Sequence, residues 1–383
     1  MIITIHRGSH QIGGCATEIR TENSRILIDA GSELDGNAPL KIEGVTEGTS
    51  KCNAVLFSHY HGDHIGLLDT VNNDIPLYIG DISLEIIKMQ NRRQKLFDES
   101  NIQRIKPYYT AKPMVFGDIK VTPFMVDHSA FDSHLFIIEA GGKRILHTGD
   151  FRNHGFRGKG LIPTLTKYIG KVDAVICEGT TLNRSSVTPM TEYELSKKAE
   201  ELFKKNKYVF IACASTNIDR IAGFCSVVPR GKYCLCDEYQ KDILNIVKEN
   251  CEKYSPLYSF GKMCYYGKNL DEKMEKQGFC MFVRLGNYLS NQIMEKYRDK
   301  DPLIIYSMWS GYLENNPEMQ KTVEGYRLTR LHASGHADVE TISEMLSTVQ
   351  PELVIPIHTE APSNIPYDRQ KVIIANDVQK ICI

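Results

Sequence analysis

Short apolar runs bounded by polar and turn-forming residues recur along the first 180 residues of this chain. Runs of this length are typical of buried strands, because a buried helix usually needs ten or more residues. The strands predicted in this way cover residues 53–57, 117–126, 144–147 and 171–178. Apolar positions at helical spacing appear around 82–97. This part of the chain is therefore predicted to be rich in sheet.

The pattern changes after residue 190, where longer segments alternate between helix and strand. A helix with a polar face is predicted from Thr191, followed by a strand at 208–212, a helix at 218–228 and a strand at 303–306. That alternation is typical of a parallel α/β unit. The pattern of the first 180 residues then returns with residues 328–336, a helix at 338–349 and a strand at 353–357.

The simplest explanation of these two patterns is one domain inserted into another. We predict an α/β protein whose first domain comprises residues 1–182 and 323–383, with a second α/β domain inserted at 183–322. Neither an internal repeat nor a low-complexity linker interrupts the sequence.

Directly after the strand at 53–57, three imidazoles and a carboxylate follow within six residues, as His59, His61, Asp63 and His64. His59 and His61 point the same way in extended chain, because side chains alternate with period two. Asp63 and His64 lie in the turn beyond and can reach a second point a few ångströms away. Since one metal ion cannot readily use all four groups, the spacing predicts two.

Further candidate ligands stand where other predicted strands end, namely His128, Asp150 and His358. A carboxylate can span two ions about 3.5–4 Å apart. Ligand imidazoles usually donate their second N–H to an acceptor, and Asp29 is a candidate for that role. We predict that His147 packs behind the site. The remaining histidines considered, which we expect to be structural, are His6, His10, His134 and His154.

Composition narrows the class of protein only a little. The net charge of −1 gives no overall attraction for nucleic acid, although a groove could still be locally basic. The eleven cysteines contain no C-x-x-C pair, which favours free thiols in a reducing cytosol. No apolar run approaches the roughly 20 residues of a membrane span, and residues 1–5 are typical of a first strand rather than a leader. A cytoplasmic protein without membrane contact is expected.

The string from His59 to His64 resembles the signature of the metallo-β-lactamase superfamily. Glu178 in Cys-Glu-Gly-Thr, His336 in His-Ala-Ser-Gly-His-Ala and His358 in Pro-Ile-His-Thr-Glu resemble three further motifs of its β-CASP branch. The segment 214–220, Ala-Ser-Thr-Asn-Ile-Asp-Arg, is similar to a motif of ribonuclease J. The resemblance implies an αββα metallo-β-lactamase sandwich with an inserted α/β β-CASP domain.

The resemblance also implies roles for individual residues. It assigns one metal ion to His59, His61 and His128, the other to Asp63, His64 and His358, and a bridging position to Asp150. It implies that Asp63 is catalytic as well as a ligand, that His336 is the general acid, and that Glu178 orients His336. It implies substrate-phosphate contacts at Ser215, His332, Ser334 and Gly335. Two divalent ions are expected, with Zn²⁺ favoured by the histidines and Mn²⁺ compatible with the mixed ligands.

The activity implied is cleavage of single-stranded RNA, in which a hydroxide bridging the metals attacks a phosphodiester in line. His358 favours RNA, because the DNA nucleases of this branch carry an apolar residue at that position. The alternatives are a small-molecule hydrolase (lactonase, thioesterase or phosphodiesterase), a DNA nuclease, and a non-catalytic RNA-binding or scaffold protein.

Three features bear on partners and on departures from the family. Thr359 stands where the third motif usually has glycine, and the chain is shorter than typical ribonuclease J. Ribonuclease J oligomerises through a C-terminal region beyond these motifs. The resemblance therefore implies a homodimer that depends on that region. Trp309, the single tryptophan, is a candidate for stacking on an RNA base or for packing in the protein interior.

Overall fold

The computed structural model of the 383-residue chain describes residues 1–34, 39–184 and 189–383. These residues form two compact units. The first unit comprises Met1–Thr188 and Gly335–Ile383, and the second comprises Pro189–Ser334. The second unit therefore interrupts the first in sequence.

The strands of the described residues are β1 (Ile2–Arg7), β2 (Ala16–Arg20), β3 (Arg25–Ile28), β4 (Ala54–Leu56), β5 (Leu77–Gly80), β6 (Ile105–Tyr108), β7 (Met114–Phe116), β8 (Ile119–Val126), β9 (Ser133–Ala140), β10 (Lys143–His147), β11 (Ala174–Glu178), β12 (Tyr208–Ala212), β13 (Tyr233–Cys236), β14 (Met263–Tyr265), β15 (Phe279–Val283), β16 (Leu303–Tyr306), β17 (Arg327–Arg330), β18 (Leu353–Ile357) and β19 (Lys380–Cys382).

The α-helices are α1 (Gly62–Ile65), α2 (Asp81–Gln94), α3 (Glu99–Arg104), α4 (Leu161–Thr164), α5 (Glu192–Lys205), α6 (Ile218–Ser226), α7 (Glu238–Cys251), α8 (Asp271–Gln277), α9 (Tyr288–Lys296), α10 (Ser310–Glu314), α11 (Pro317–Val323) and α12 (Val339–Val349). Short 3₁₀ turns cover Leu68–Thr70, Gly158–Gly160, Pro256–Ser259, Lys268–Leu270, Arg298–Lys300, Pro362–Asn364 and Arg369–Lys371, and a π turn covers Leu165–Ile169. Within the described ranges, none of the helices is both long enough and apolar enough to cross a bilayer.

The first unit is built from two sheets, with strand orders β19-β1-β2-β3-β4-β5-β6 and β18-β11-β10-β9-β8-β7. One hydrophobic cluster combines side chains of both sheets, such as Ile28 and Leu56 of the first with Ile138 and Ile145 of the second. The sheets therefore pack face to face, as in a sandwich.

Helices cover the outer faces of these sheets. Alternate residues of the second sheet, such as Leu146 and Val175, join a second cluster with Leu346 of α12. On the first sheet, α2 packs against β5 and β6. Because both faces are covered, β4, β11 and β18 read as continuous apolar runs rather than alternating ones. The predicted αββα sandwich is confirmed.

The second unit contains a parallel sheet with strand order β14-β13-β15-β12-β16-β17. Its first helix, α5, begins at Thr191, whose hydroxyl accepts from the backbone N–H of Glu194 while the Glu194 carboxylate accepts from the N–H of Thr191. This reciprocal cap explains why the helix predicted from Thr191 begins there. The α/β character predicted for the insertion is thus found.

The limits of the second unit differ from the predicted 183–322. Residues 185–188, which fall in the predicted insertion, lie outside the described residues. At the other end the unit extends to Ser334, because β17 pairs in parallel with β16. The sequence pattern instead assigns residues 328–336 to the returning first domain. A short strand of mixed polarity such as Arg-Leu-Thr-Arg carries no signal of the sheet it joins.

A buried ion pair ties together several loops of the second unit. The guanidinium of Arg220 is fully buried and lies 2.6 Å and 2.8 Å from the two carboxylate oxygens of Glu192. Arg220 also donates to Ser307 Oγ at 2.6 Å and to the carbonyl of Ala333 at 3.2 Å. Bidentate pairs of this kind are geometrically specific. The pair therefore fixes the loops after β16 and β17 against α5 and α6.

Glu192→Ala is predicted to destabilise the protein by about 3–5 kcal/mol, because it leaves the buried Arg220 charge uncompensated. The measurement is the free energy of unfolding from a urea titration. Glu201→Ala, an exposed position on the same helix, is the matched control and should stay within about 0.5 kcal/mol of the parent. Equal stabilities for the two variants would contradict the prediction.

Candidate metal centre

The His59–His64 string lies where the first sheet ends. His59 and His61 follow β4, and Asp63 and His64 lie in the short helix α1. The ring centroids of His59 and His61 are 4.7 Å apart, as expected for two side chains on the same side of an extended segment. The backbone carbonyl of Asp63 accepts a hydrogen bond from Cys15 at 3.0 Å. The string is thus held against the loop that precedes β2.

His128 joins His59 and His61 from the loop between β8 and β9. Ring nitrogens of these three residues lie within 4.8 Å of one another, and His61 Nδ1 is 3.3 Å from His128 Nε2. We call His59, His61 and His128 the imidazole group. It brings together the residues that the family resemblance assigns to one metal ion.

Asp63, His64 and His358 form a second cluster, which we call the mixed group. His358 follows β18, and its Nε2 atom lies 3.2 Å from Asp63 Oδ2. The His64 and His358 rings stack with centroids 5.3 Å apart. The mixed group brings together the residues that the family resemblance assigns to the other ion.

Asp150, in the loop after β10, lies between the two groups. Its Oδ2 atom is 3.9 Å from His59 Nε2 and 3.8 Å from His128 Nε2. The same oxygen is 3.1 Å from His64 Nε2 and 3.9 Å from His358 Nε2. A carboxylate with both oxygens available in this position could contact an ion in each group, which is the arrangement of a two-metal site.

Polar atoms in this cluster are buried with part of their hydrogen-bonding capacity unused. Among the described residues, His59 Nε2 and Asp150 Oδ1 have no hydrogen-bond partner, and the contact of His64 Nε2 with Asp150 Oδ2 is 3.1 Å long. Leaving such atoms unsatisfied costs about 1–3 kcal/mol each, and more for a charged group. Coordination to a cation would satisfy both unpartnered atoms. Imidazole and carboxylate donors together suit divalent ions such as Zn²⁺ and Mn²⁺.

For His64 and His128, the other side of the imidazole is held by a neighbour that sets its orientation. His64 Nδ1 lies 2.8 Å from Asp29 Oδ2, and the other Asp29 oxygen accepts from the backbone N–H of Ser58 at 2.7 Å. The Asp29 prediction therefore agrees with the structure. His128 Nδ1 donates to the carbonyl of Gly335 at 2.6 Å. These contacts direct Nε2 of each ring into the cluster, as outer partners of metal ligands do.

The sequence did not identify Thr180, whose hydroxyl lies 2.6 Å from His358 Nδ1. It also missed Cys15, whose buried thiol lies within 4.8 Å of His64 and His358 ring nitrogens. Burial, followed by Asp150, raises the pKa of the Cys15 thiol well above its usual range, so it stays protonated. A threonine and an isolated cysteine carry no spacing signal. Only the fold brings them to the site.

The ionisation of the imidazole group suits metal binding. Burial lowers the pKa of His61 to about 4, and burial also holds the pKa values of His59 and His128 well below the usual range. All three rings are therefore neutral near pH 7, and their lone pairs are available to a cation. Neutral imidazole is the form that coordinates metals.

In the mixed group and at Asp150, by contrast, the pKa shifts favour the charged forms. Burial alone would raise the pKa of the Asp150 carboxyl, but His358 and His64 outweigh it and hold the pKa well below the usual range. Burial alone would lower the pKa of His64, but Asp150 and Asp29 outweigh it and raise the pKa. Because a ligand imidazole must be neutral, binding of an ion here is coupled to release of a proton.

The predicted catalytic pair lies beside these groups. His336 Nδ1 is 3.3 Å from Glu178 Oε1 and 3.6 Å from Asp150 Oδ2, and the His336 side chain is 20% exposed. Glu178 is fully buried at the end of β11, where its oxygens accept from the backbone N–H groups of Phe151 and Thr180. The carboxylate is thus fixed, and it fixes the imidazole in turn.

The predicted phosphate contacts divide between the two units. Gly335 belongs to the first unit, where a Cβ would lie 2.4 Å from Ser129 Oγ, so a larger residue does not fit. Ser215, His332 and Ser334 belong to the second unit, in the loops that follow β12 and β17. Their role toward a substrate stays a prediction.

Three of the histidines expected to lie outside the ligand set, His6, His134 and His147, have local partners. His6 Nε2 lies 2.7 Å from Glu18, and His134 Nδ1 donates to the carbonyl of Asp132 at 2.9 Å. His147 Nδ1 accepts from the N–H of Gly149 at 3.1 Å. His10 is exposed, and His154 is buried.

Two family models match this chain. Residues 24–206 match a β-lactamase superfamily domain, and residues 326–364 match a domain described as a Zn-dependent metallo-hydrolase RNA specificity domain. The second match includes His336 and His358.

The chain is also similar to named proteins. It is 25% identical to ribonuclease J of Helicobacter pylori over 94% of this chain and 56% of that protein. It is 24% identical to ribonuclease J of Mycoplasma pneumoniae over 92% of this chain and 67% of that protein. The chain thus spans about half the length of the Helicobacter relative.

A solved structure of a protein of unknown function from Enterococcus faecalis V583 has the same fold. The TM-score is 0.78 with 18% identity, and the match covers 99% of each chain. Its whole length corresponds to both units of this chain.

Fold, motifs and matches together support the resemblance of this chain to the metallo-β-lactamase superfamily. Within that superfamily it resembles the ribonuclease J-type proteins of the β-CASP branch. The resemblance inferred from the motifs is confirmed.

Asp150→Ala is predicted to lower the content of bound divalent metal, because the residue contacts both groups. The measurement is metal content by mass spectrometry after equilibration with Zn²⁺ and a competing chelator. Asp74→Ala removes an exposed carboxylate of the same unit and should leave the metal content unchanged. Unaltered metal content in a folded Asp150→Ala protein would contradict the assignment.

Proposed function

We propose that this chain is a metal-dependent phosphodiesterase that cleaves single-stranded RNA. The observation that carries the proposal is the pairing of the buried Glu178 carboxylate with the partly exposed His336 ring beside the cluster around Asp150. A metal cluster alone would suit many hydrolases. An oriented imidazole next to it adds a proton donor for a leaving group, which phosphodiester cleavage requires.

The imidazole group would hold one divalent ion, the mixed group would hold a second, and Asp150 would contact both. Two ions held there would supply Lewis-acid neutralisation of the phosphodiester charge and activation of water. Zn²⁺ is the favoured ion, because the family description names it and because imidazoles dominate the donor set.

Asp63 would contribute a carboxylate to the mixed group and would hold His358 through the 3.2 Å contact between Asp63 Oδ2 and His358 Nε2. Its pKa is held below the usual range, because His64 and His358 outweigh the effect of burial. Asp63 is therefore ionised near pH 7. A carboxylate that stays ionised is suited to bind a cation and to accept a proton from water.

His336 would act as the general acid toward the leaving sugar oxygen. Its Nδ1 faces Glu178, so Nε2 is the nitrogen that would deliver the proton. The partial exposure of the ring gives a substrate access to it. Glu178 is a positioning residue, since its carboxylate is fully buried and fixed by two backbone N–H groups.

RNA is favoured over DNA and small molecules by two further observations. The model that matches residues 326–364 describes an RNA specificity domain, and that segment includes both His336 and His358. The similar proteins are named ribonuclease J. We propose phosphate contacts at Ser215, His332, Ser334 and Gly335, which could position the RNA backbone.

A cytoplasmic location fits the proposal, because all the cysteines found among the described residues are free thiols. Free thiols persist in a reducing compartment. The homodimer stays a prediction, and its test is the mass of the protein in solution.

The first test uses a 5′-monophosphorylated, 3′-labelled single-stranded RNA and the matching DNA, with Zn²⁺ or Mn²⁺ supplied. We expect the RNA to be degraded by the parent protein and to survive with Asp150→Ala, which controls for contaminating nuclease. The fragment ladder distinguishes exonuclease from endonuclease action. Intact RNA with a fully metallated protein would contradict the proposal and favour a small-molecule substrate, and preferential loss of DNA would make the protein a DNA nuclease.

The second test concerns the proton donor. His336→Ala is predicted to lower the cleavage rate by about 10²–10⁴-fold, as expected for loss of a general acid, while the metal content stays unchanged. His10→Ala, which removes an exposed histidine of the same unit, should retain full activity. Loss of metal in His336→Ala would instead make His336 a ligand.

A further inference from the structure

The strand order of the second unit creates a crevice at one edge of its sheet. Strands β12 and β16 are neighbours, but their onward connections leave in opposite directions. From β12 the chain continues to β13, beyond β15, whereas from β16 it continues to β17 on the other side. In open parallel sheets, ligands bind at such a switch point, outside the carboxyl ends of the strands.

Two loops border this switch point. The pairing of Ala212 with Tyr306 puts the ends of β12 and β16 at the same level, and the N–H of Ser307 donates to the carbonyl of Ala212 at 2.8 Å. Ser215 and Trp309 are each three residues beyond these ends. The only tryptophan of the chain therefore belongs to the loop where the topology predicts a ligand.

Trp309 is exposed but held in position. Trp309 is 47% exposed, which is unusual for a residue with the largest apolar side chain. A Cβ on Gly311 would lie 2.3–2.6 Å from the six-membered ring of the indole, so the ring packs directly on this glycine. Tyr312 meets the indole edge-to-face at 5.3 Å, and the Tyr306 hydroxyl donates to the Trp309 carbonyl at 3.1 Å.

The charge near this loop suits a nucleic acid better than an apolar partner. Arg330 ends β17 and is paired in register with Tyr306. Its guanidinium contacts Glu314 at 3.1 Å, with both side chains more than half exposed. Exposed pairs of this kind contribute little stability, so the arginine can exchange its partner for a phosphate. Arg330 also lies inside the segment that matches the RNA specificity domain.

We infer that Trp309 is a stacking platform for a base of single-stranded RNA, bound at the switch point between β12 and β16. The inference rests on the proposed function, which it deepens by giving the substrate a base-binding position. Stacking on an aromatic ring is tolerant of sequence, because every base has a π face. The platform would therefore strengthen binding of any unpaired strand. It would not select a particular base.

The single tryptophan makes the test direct, because all indole fluorescence comes from Trp309. The His336→Ala variant, in which cleavage is slowed, is titrated with a short oligouridylate. We expect saturable quenching of the fluorescence. An abasic oligomer of the same length should cause little quenching, since it offers charge without a base. Absence of quenching by oligonucleotides that bind the protein would overturn the inference.

Substitutions separate stacking from a structural role. Trp309→Ala should raise the Kd for oligouridylate about 5–150-fold, which corresponds to about 1–3 kcal/mol for one stacked base. Trp309→Phe should restore most of the affinity, because the ring is retained. Gly311→Ala should weaken binding as well, since the added methyl group displaces the indole. These affinities are measured by anisotropy of a labelled oligomer.

Tyr254→Ala is the matched control. Tyr254 is 78% exposed and follows α7, which begins next to the carboxyl end of β13, so Tyr254 belongs to the opposite edge of the sheet. This variant should bind as the parent does. Equal affinities for Trp309→Ala and Tyr254→Ala would overturn the inference.

The two proposals fail in distinguishable ways. RNA that quenches Trp309 fluorescence but is not cleaved by the parent protein would support the stacking platform and contradict the proposed nuclease activity. Cleavage of RNA by Trp309→Ala with unchanged KM and kcat would support the nuclease activity and contradict the stacking platform.

Discussion

The buried carboxylate of Asp150 is the constraint on which the site in this protein depends. It lies within 4 Å of five imidazoles, and its Oδ1 atom has no hydrogen-bond partner among the described residues. Its buried negative charge is balanced by the His64 and His358 imidazoles, whose pKa values it raises, until a bound cation takes over that role. The three rings of the imidazole group have lowered pKa values and are neutral, so a cation can bind to them directly. His64 and His358 have raised pKa values, so a cation replaces the protons that they hold. Stability and metal binding are therefore linked in the first unit.

The sandwich makes this concentration of polar groups possible because the residues come from loops at the ends of many strands. The contributing loops follow β3, β4, β8, β10, β11 and β18, and they meet because both sheets of the first unit end at this place. Two of the residues have left-handed backbone conformations, Asp29 with φ of 63° and His358 with φ of 55°. Non-glycine residues rarely adopt such angles, and those that do often serve functional sites. Their strain is compensated by hydrogen bonds, since the N–H of Asp29 donates to Leu56 and that of His358 to Gly8.

Most of the fold could be predicted from the sequence, because buried strands such as β4 and β18 leave apolar runs that end in reactive side chains. The spacing of His59, His61, Asp63 and His64 likewise predicted their convergence. What could not be predicted is carried by groups without a local signal. The carbonyl of Gly335 and the hydroxyl of Thr180 gain their roles only from tertiary structure. The same holds for β17, whose polar residues do not reveal that it extends the sheet of the second unit.

The hydrogen bonds around Thr180 distinguish His358, the proposed metal ligand, from His336, the proposed general acid. The Thr180 hydroxyl lies 2.6 Å from His358 Nδ1 and 3.2 Å from His336 Nδ1. In the neutral ring, His358 Nε2 donates to the Asp63 carboxylate, so the Thr180 hydroxyl donates its proton to His358 Nδ1. A hydroxyl has a single proton to give. The proton on His336 Nδ1 is therefore best accepted by Glu178, whose oxygen lies 3.3 Å away. The burial of Glu178 then serves orientation: it fixes which nitrogen of His336 faces the carboxylate and which is left for the substrate.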